Sequence, residues 1–207
     1  MIGFYNVSVI LTYISLVAAM FGIFQATNGN STAAVFCLLF CGLCDMFDGK
    51  IARAIKRTED EKAFGIQIDS LCDLVCFGVL PAVICYSLGA TQIWQMAALT
   101  FFTLAAVVRL AYFNVTESAR QQKTDENRSV YQGLPVTSIA VLLPLLYIFR
   151  SPLDAALPAV SAAYLFVIGA LFVLNFKVKK PHGAATYVVI ALGALILAGL
   201  LLSVFVW

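Results

Sequence analysis

From Asp45 to Asp73 the chain reads DMFDGKIARAIKRTEDEKAFGIQIDSLCD. Apolar runs flank it, FCLLFCGLC before and LVCFGVLPAVICYSLGA after, so Asp45, Asp48, Asp69 and Asp73 fall within or at the ends of apolar spans. A carboxylate in hydrocarbon is costly unless it faces a polar cavity or a cation, which makes an intramembrane aspartate a functional residue by default. On a helix, Asp45 and Asp48 at i, i+3 share one face, as do Asp69 and Asp73 at i, i+4. The short polar joint from Lys56 to Phe64 makes the two helices antiparallel neighbours. All four carboxylates are then expected to meet at one spot.

The surrounding composition sets the solvent for those helices. Of 207 residues, 62% are hydrophobic and 12% charged, with a mean hydropathy of +0.94. Such a chain cannot cover itself with polar surface, so lipid must surround most of its side chains. A net charge of +2 excludes nucleic acid as a partner class. Seven stretches approach the roughly 20 apolar residues that a bilayer core requires: Asn6 to Ala26, Thr32 to Ile55, Gly65 to Leu88, Gln92 to Asn114, Leu134 to Phe149, Leu157 to Phe176 and Ala184 to Val206. The expected fold is an all-α polytopic membrane bundle of about seven helices, forming a single domain over residues 1–207. The first run lacks a basic leader and a small-residue cleavage site, so it reads as a retained span.

Orientation follows from lysine and arginine, which favour cytoplasmic loops. Lys56, Arg57 and Lys62 follow the second span, Arg120, Lys123 and Arg128 the fourth, and Lys177, Lys179 and Lys180 the sixth. The alternate joints carry none, apart from Arg150. This pattern predicts a cytoplasmic N-terminus in the cell membrane, with the aspartates on the cytoplasmic side. The joint from Thr116 to Gln132 is expected to be a loop that could lie on the membrane surface. Cys37, Cys41, Cys44, Cys72, Cys76 and Cys85 lie in apolar stretches and read as buried packing residues, not as disulfides or a zinc centre. His182 sits in a basic loop with no evident partner.

Four clustered carboxylates require cations, and hard oxygen donors suit magnesium, manganese or calcium better than zinc. One or two such ions beside lipid head groups could hold a pyrophosphate and neutralise a departing phosphate. Gly49 and Ala52 strip bulk from the helix next to Asp48, and Arg53 adds a permanent cation. Intramembrane carboxylates also mark ion pathways, so a metal-ion or proton-coupled transporter is the competing class. Against it, the acids crowd one end of two adjacent helices and no repeat supplies a second half.

The run Asp45-x2-Asp48-Gly49-x2-Ala52-Arg53-x11-Gly65-x3-Asp69-x3-Asp73 closely resembles the signature of the CDP-alcohol phosphatidyltransferase family. The spacer between Arg53 and Gly65 is three residues longer than is usual there. The resemblance implies that Asp45, Asp48, Asp69 and Asp73 bind metal, with Asp73 also the catalytic general base. It further implies that Asp48, Gly49, Ala52 and Arg53 line the CDP-lipid pocket, and that the chain is a homodimer. The seventh span is then an addition to a six-helix family core.

The segment from Gly65 to Ala82 looks like the corresponding stretch of bacterial phosphatidylserine synthases. Two later runs agree, Arg109-Leu110-Ala111-Tyr112-Phe113-Asn114 and Tyr131-Gln132-Gly133-Leu134-Pro135. Tyr112 departs from that subfamily, which often has arginine there. The activity implied is transfer of a phosphatidyl group from CDP-diacylglycerol to L-serine, with inositol or glycerol 3-phosphate as alternative acceptors. Serine's carboxylate needs a cation, and Arg109, with Asn114 and Gln132 as polar neighbours, is the candidate set. Pro81, Gly78 and the Gly133-Leu134-Pro135 run are expected to shape helix ends around the pocket.

Overall fold

The computed structural model describes residues 3–4, 6, 9–55, 57–121, 130–179, 193, 195 and 198–200. Its body is helical. Helix α1 spans Ile10–Thr27 and α2 Ser31–Ala54, joined by a turn in which Gly29 adopts φ +82°. The buried stripe of α1 is Thr12, Ser15, Ala19, Gly22 and Ala26, while Val17, Phe21 and Phe24 point outward. Small residues inside and large apolar ones outside is the pattern of a helix whose outer solvent is lipid, because close backbone approach, not hydrophobic exclusion, drives packing there. Gly22 shows the closeness, since a Cβ on it would stand 2.9 Å from that of Cys37 on α2.

Helix α3, Glu59–Asp73, begins earlier than the sequence reading placed it. The reason is a capping box: Thr58 Oγ1 accepts from the Glu61 N–H at 3.3 Å, and the Glu61 carboxylate accepts from the Thr58 N–H at 2.8 Å. Glu59, Asp60 and Glu61 also suit the positive end of the helix dipole. Most of the residues between Arg53 and Gly65 are therefore helix, and the joint itself is only a few residues long.

Directly after Asp73 the helix widens into a π segment, Leu74–Val79, before continuing as α4, Leu80–Ser87. Pro81 has no N–H to offer the carbonyls of Cys76 and Phe77, so the usual ladder fails and the Leu80 N–H donates back to Val75. Thr103 Oγ1 donates to the neighbouring Gly78 carbonyl at 3.1 Å. The packing at Gly78 is close: a Cβ there would lie 2.9 Å from Leu74 Cδ1 and 3.2 Å from Ala106 Cβ.

Helix α5 covers Ile93–Gln121 and carries the fourth span well into the joint expected as a loop. The following joint holds a strand, β1 (Val130–Gln132), which the all-helical expectation did not include. After a 3₁₀ turn at Val136–Ser138 come α6 (Ile139–Ile148), the short α7 (Arg150–Leu153) and α8 (Leu157–Val173), then strand β2 (Lys177–Lys179). The strands pair antiparallel, Val130 with Lys179 and Gln132 with Lys177. That pairing puts the basic joints after the fourth and sixth spans on one side of the membrane, as the charge pattern requires. Arg150, the exception to that pattern, lies over the ring of Tyr147 at 4.8 Å.

Among the described residues, five helical stretches are long and apolar enough to cross a membrane: Ile10–Thr27, Ser31–Gly49, Glu59–Ser87, Ile93–Glu117 and Arg150–Val173. The fifth predicted span is shorter, Val136–Ile148, and Pro144 interrupts its hydrogen bonding. Most of the seventh, Ala184 to Val206, lies outside the described residues, as does His182. Among the described residues the predicted spans are thus represented by five long helices and one short one.

One clamp ties the loop before α6 to the end of α8. Gly133 at φ +74° donates its N–H to Phe176 O at 2.7 Å, and Leu134 donates to Leu171 O at 3.1 Å. A Cβ on Gly133 would meet Phe172 O at 2.9 Å and Leu174 O at 3.0 Å. Gly133→Ala is expected to cost about 1–3 kcal/mol, lowering the melting midpoint of detergent-solubilised protein by roughly 2–8 °C. An unchanged midpoint in a thermal-shift measurement would show that the clamp yields freely.

Candidate active site

The two halves of the quoted motif lie on α2 and α3, both of which pack against α1. The Asp48 carboxylate, 9% exposed, is within hydrogen-bonding reach of the Asp69 carboxyl, the Thr12 hydroxyl of α1 and the Gly49 backbone N–H. Asp45 interacts electrostatically with Asp48 and Asp69, and Asp73 with all three others. Acids this close repel strongly in a weakly polar surrounding unless positive charge stands between them. The ion pair of Lys62 with Glu59, at the start of α3, does not serve this cluster.

The chemistry of this donor set fits a hard divalent cation. Space fits too: among the described residues nothing lies within 4 Å of where a Cβ on Gly49 would stand, leaving backbone open beside Asp48. As the side chains stand, no three His, Cys, Asp or Glu groups among the described residues are disposed to grip one ion. Binding would therefore draw the carboxylates inward from their present rotamers. The side chains of Ala52 and Arg53 lie outside the description, though both belong to α2.

Beneath the acids the packing is polar but neutral. Ser15 Oγ sits 3.3 Å from Cys76 Sγ, and Cys41 Sγ donates to Ser15 O at 3.3 Å. All six cysteines are free, and five are buried, as packing residues should be. On the other side of α3, Ser70 donates to Asn114 Oδ1 at 2.6 Å, and Asn114 Nδ2 donates to Gln67 at 3.2 Å. This chain fastens the helix that carries Asp69 and Asp73 to α5.

Thr12 was not singled out as an acid partner by sequence reasoning. The available signal was Thr12 and Ser15 at i, i+3, the only buried polar pair on an apolar first span.

The structure shows contacts for two of the three acceptor-pocket candidates. Asn114 faces α3, as described. Arg109, 6% exposed, donates Nε–H to Leu134 O at 3.3 Å and lines a cavity between α5 and the end of α8. Gln132 belongs to β1, and its side chain lies outside the description.

Similarity to known proteins was found at two levels. A family model described as CDP-alcohol phosphatidyltransferase matches residues 5–206. The CDP-diacylglycerol–serine O-phosphatidyltransferase of Saccharomyces cerevisiae is 39% identical over 118 residues, covering 56% of this chain and 42% of that protein. The Bacillus subtilis protein of the same name is 27% identical over 176 residues, covering 83% and 88%. An archaetidylserine synthase of Methanothermobacter thermautotrophicus is 30% identical over 162 residues, covering 76% and 65%. This chain thus spans less than half of the yeast relative it matches.

Proposed function

Because the chain belongs to the CDP-alcohol phosphatidyltransferase family, we propose that it transfers the phosphatidyl group of CDP-diacylglycerol to L-serine, yielding phosphatidylserine and CMP. The observation that carries this reading is the electrostatic interaction of Asp45 and Asp48 of α2 with Asp69 and Asp73 of α3. Choice of serine is supported by the names of the yeast and Bacillus subtilis relatives, both of which specify serine transfer.

In this reading Asp73 takes the proton of the serine hydroxyl. The serine oxygen then forms a bond to the phosphatidyl phosphorus as the bond from that phosphorus to the CMP oxygen breaks, and CMP leaves with the electron pair. Asp45, Asp48, Asp69 and Asp73 would hold one or two divalent ions, magnesium or manganese, with calcium also suited to the donors. When bound, these ions neutralise the pyrophosphate and the charge that grows on the departing CMP. The Thr12 hydroxyl orients Asp48, and the Ser70–Asn114–Gln67 chain holds α3 in place. Gly49, Ala52 and Arg53 follow Asp48 on α2 and form the CDP-lipid cradle, Gly49 by leaving its backbone open and Arg53 by pairing with phosphate. The site opens to the cytoplasm of a cell-membrane homodimer whose N-terminus is also cytoplasmic.

The deciding experiment supplies purified protein with CDP-diacylglycerol, magnesium or manganese, and serine, inositol or glycerol 3-phosphate in turn, and measures CMP. Release that depends on serine is the expected result. Release with another alcohol alone would reassign the acceptor, and none with any alcohol would return an ion transporter to first place.

A further inference from the structure

Between α5 and the end of α8 lies a cavity of ≈ 210 Å³, lined by Val108, Arg109, Tyr112, Phe172, Leu174 and Asn175. Its polarity is layered. Arg109 is 6% exposed, whereas Val108, Tyr112, Val173 and Leu174 on the rim are each about half exposed. Three of those four belong to membrane-spanning helices, and Leu174 caps one, so their outer faces meet lipid. A buried cation behind an apolar, lipid-facing rim suits an amphiphile that lays its chains along the rim and turns an anionic head inward.

Depth and position agree. Helix α8 ends at Val173, and Asn175 leads within two residues into β2, the strand that joins the basic side of the protein. The Asn175 end of the cavity therefore lies towards the basic end of the spanning helices. It is also apart from the aspartates: α8 packs principally on α5 and α4, while the acids lie among α1, α2 and α3. The bond from Arg109 Nε to Leu134 O holds the guanidinium in place, through the same loop that Gly133 clamps to α8. Guanidinium is the side chain best matched to a phosphodiester, and basic pockets between spanning helices are known lodging for lipid head groups.

We propose that this cavity binds the phosphodiester head of an anionic membrane phospholipid, at a site separate from the catalytic aspartates. The proposal concerns binding alone and stands or falls without reference to the transfer reaction. Serine's carboxylate offers related anionic chemistry, so the test must tell the two sources apart.

The protein is placed in phosphatidylcholine nanodiscs with and without phosphatidylglycerol, and lipid retained after detergent extraction is read by native mass spectrometry. Serine KM is measured on the same preparations. Wild type is expected to retain phosphatidylglycerol over phosphatidylcholine, and Arg109→Gln to lose about tenfold of that preference, with Arg109→Lys in between. Asn175→Ala, at an exposed position that carries no folding risk, is expected to lose about threefold. It decides the matter if Arg109→Gln does not fold. Serine KM should stay unchanged in Asn175→Ala. Equal retention by wild type and Asn175→Ala would overturn the proposal. So would a raised serine KM with phosphatidylglycerol retention intact, which would make the cavity an acceptor-carboxylate site.

Discussion

Asp73→Asn is expected to lower kcat for CMP release by about 10²–10⁴-fold while CDP-diacylglycerol binding largely survives. Asparagine keeps the shape and the hydrogen-bonding capacity of the side chain but cannot accept the serine proton. Asp73 is placed for this role at the last residue of α3, where the π segment begins and the helix departs from regular geometry. In the proposed mechanism the other three acids would still hold the ions that grip the pyrophosphate. Measured by equilibrium binding of a CDP-lipid analogue beside a turnover assay, the two effects should separate. Parallel loss of binding and turnover would remove Asp73 from the role of base.

Asp48→Asn should behave differently, with CDP-lipid affinity and turnover falling together by on the order of 10²–10³-fold. Asp48 is the hub of the cluster, meeting Asp69, the Thr12 hydroxyl and the Gly49 N–H at once. Its loss removes a ligand and also frees Asp69 from its nearest acid partner. Thr12→Val, which takes away only the orienting hydroxyl, should produce a smaller loss of roughly 10-fold. If Thr12→Val equals Asp48→Asn, the hydroxyl holds α1 against α2 instead of tuning the carboxylate. A circular-dichroism melt distinguishes these cases.

Much of this arrangement was legible in the residues themselves. Helical spacing alone put Asp45 with Asp48 and Asp69 with Asp73, and in the structure the four interact electrostatically, with α3 packed on α1 and α5. What remained hidden depends on tertiary context. Thr58 and Glu61 form a capping box that moves the start of α3 upstream, a local signal overshadowed by the charge of the segment. The π segment is a tertiary feature: Pro81 removes a ladder donor, but a widened turn is only one of the ways a membrane helix can answer that loss. The pairing of Val130–Gln132 with Lys177–Lys179 joins residues distant in sequence, and strands of three residues carry too little alternation to be read. Arg109 and Asn114 sit five residues apart on α5, which turns them to different neighbours.

The central claim is that four aspartates from α2 and α3 share divalent cations. Manganese binding followed by electron paramagnetic resonance, on nanodisc-embedded protein with CDP-diacylglycerol present, tests it most directly. Saturable binding by wild type, weakened in each of Asp45→Asn, Asp48→Asn, Asp69→Asn and Asp73→Asn, is the predicted result. Wild type that binds no manganese, or four variants that bind it as wild type does, would contradict the account.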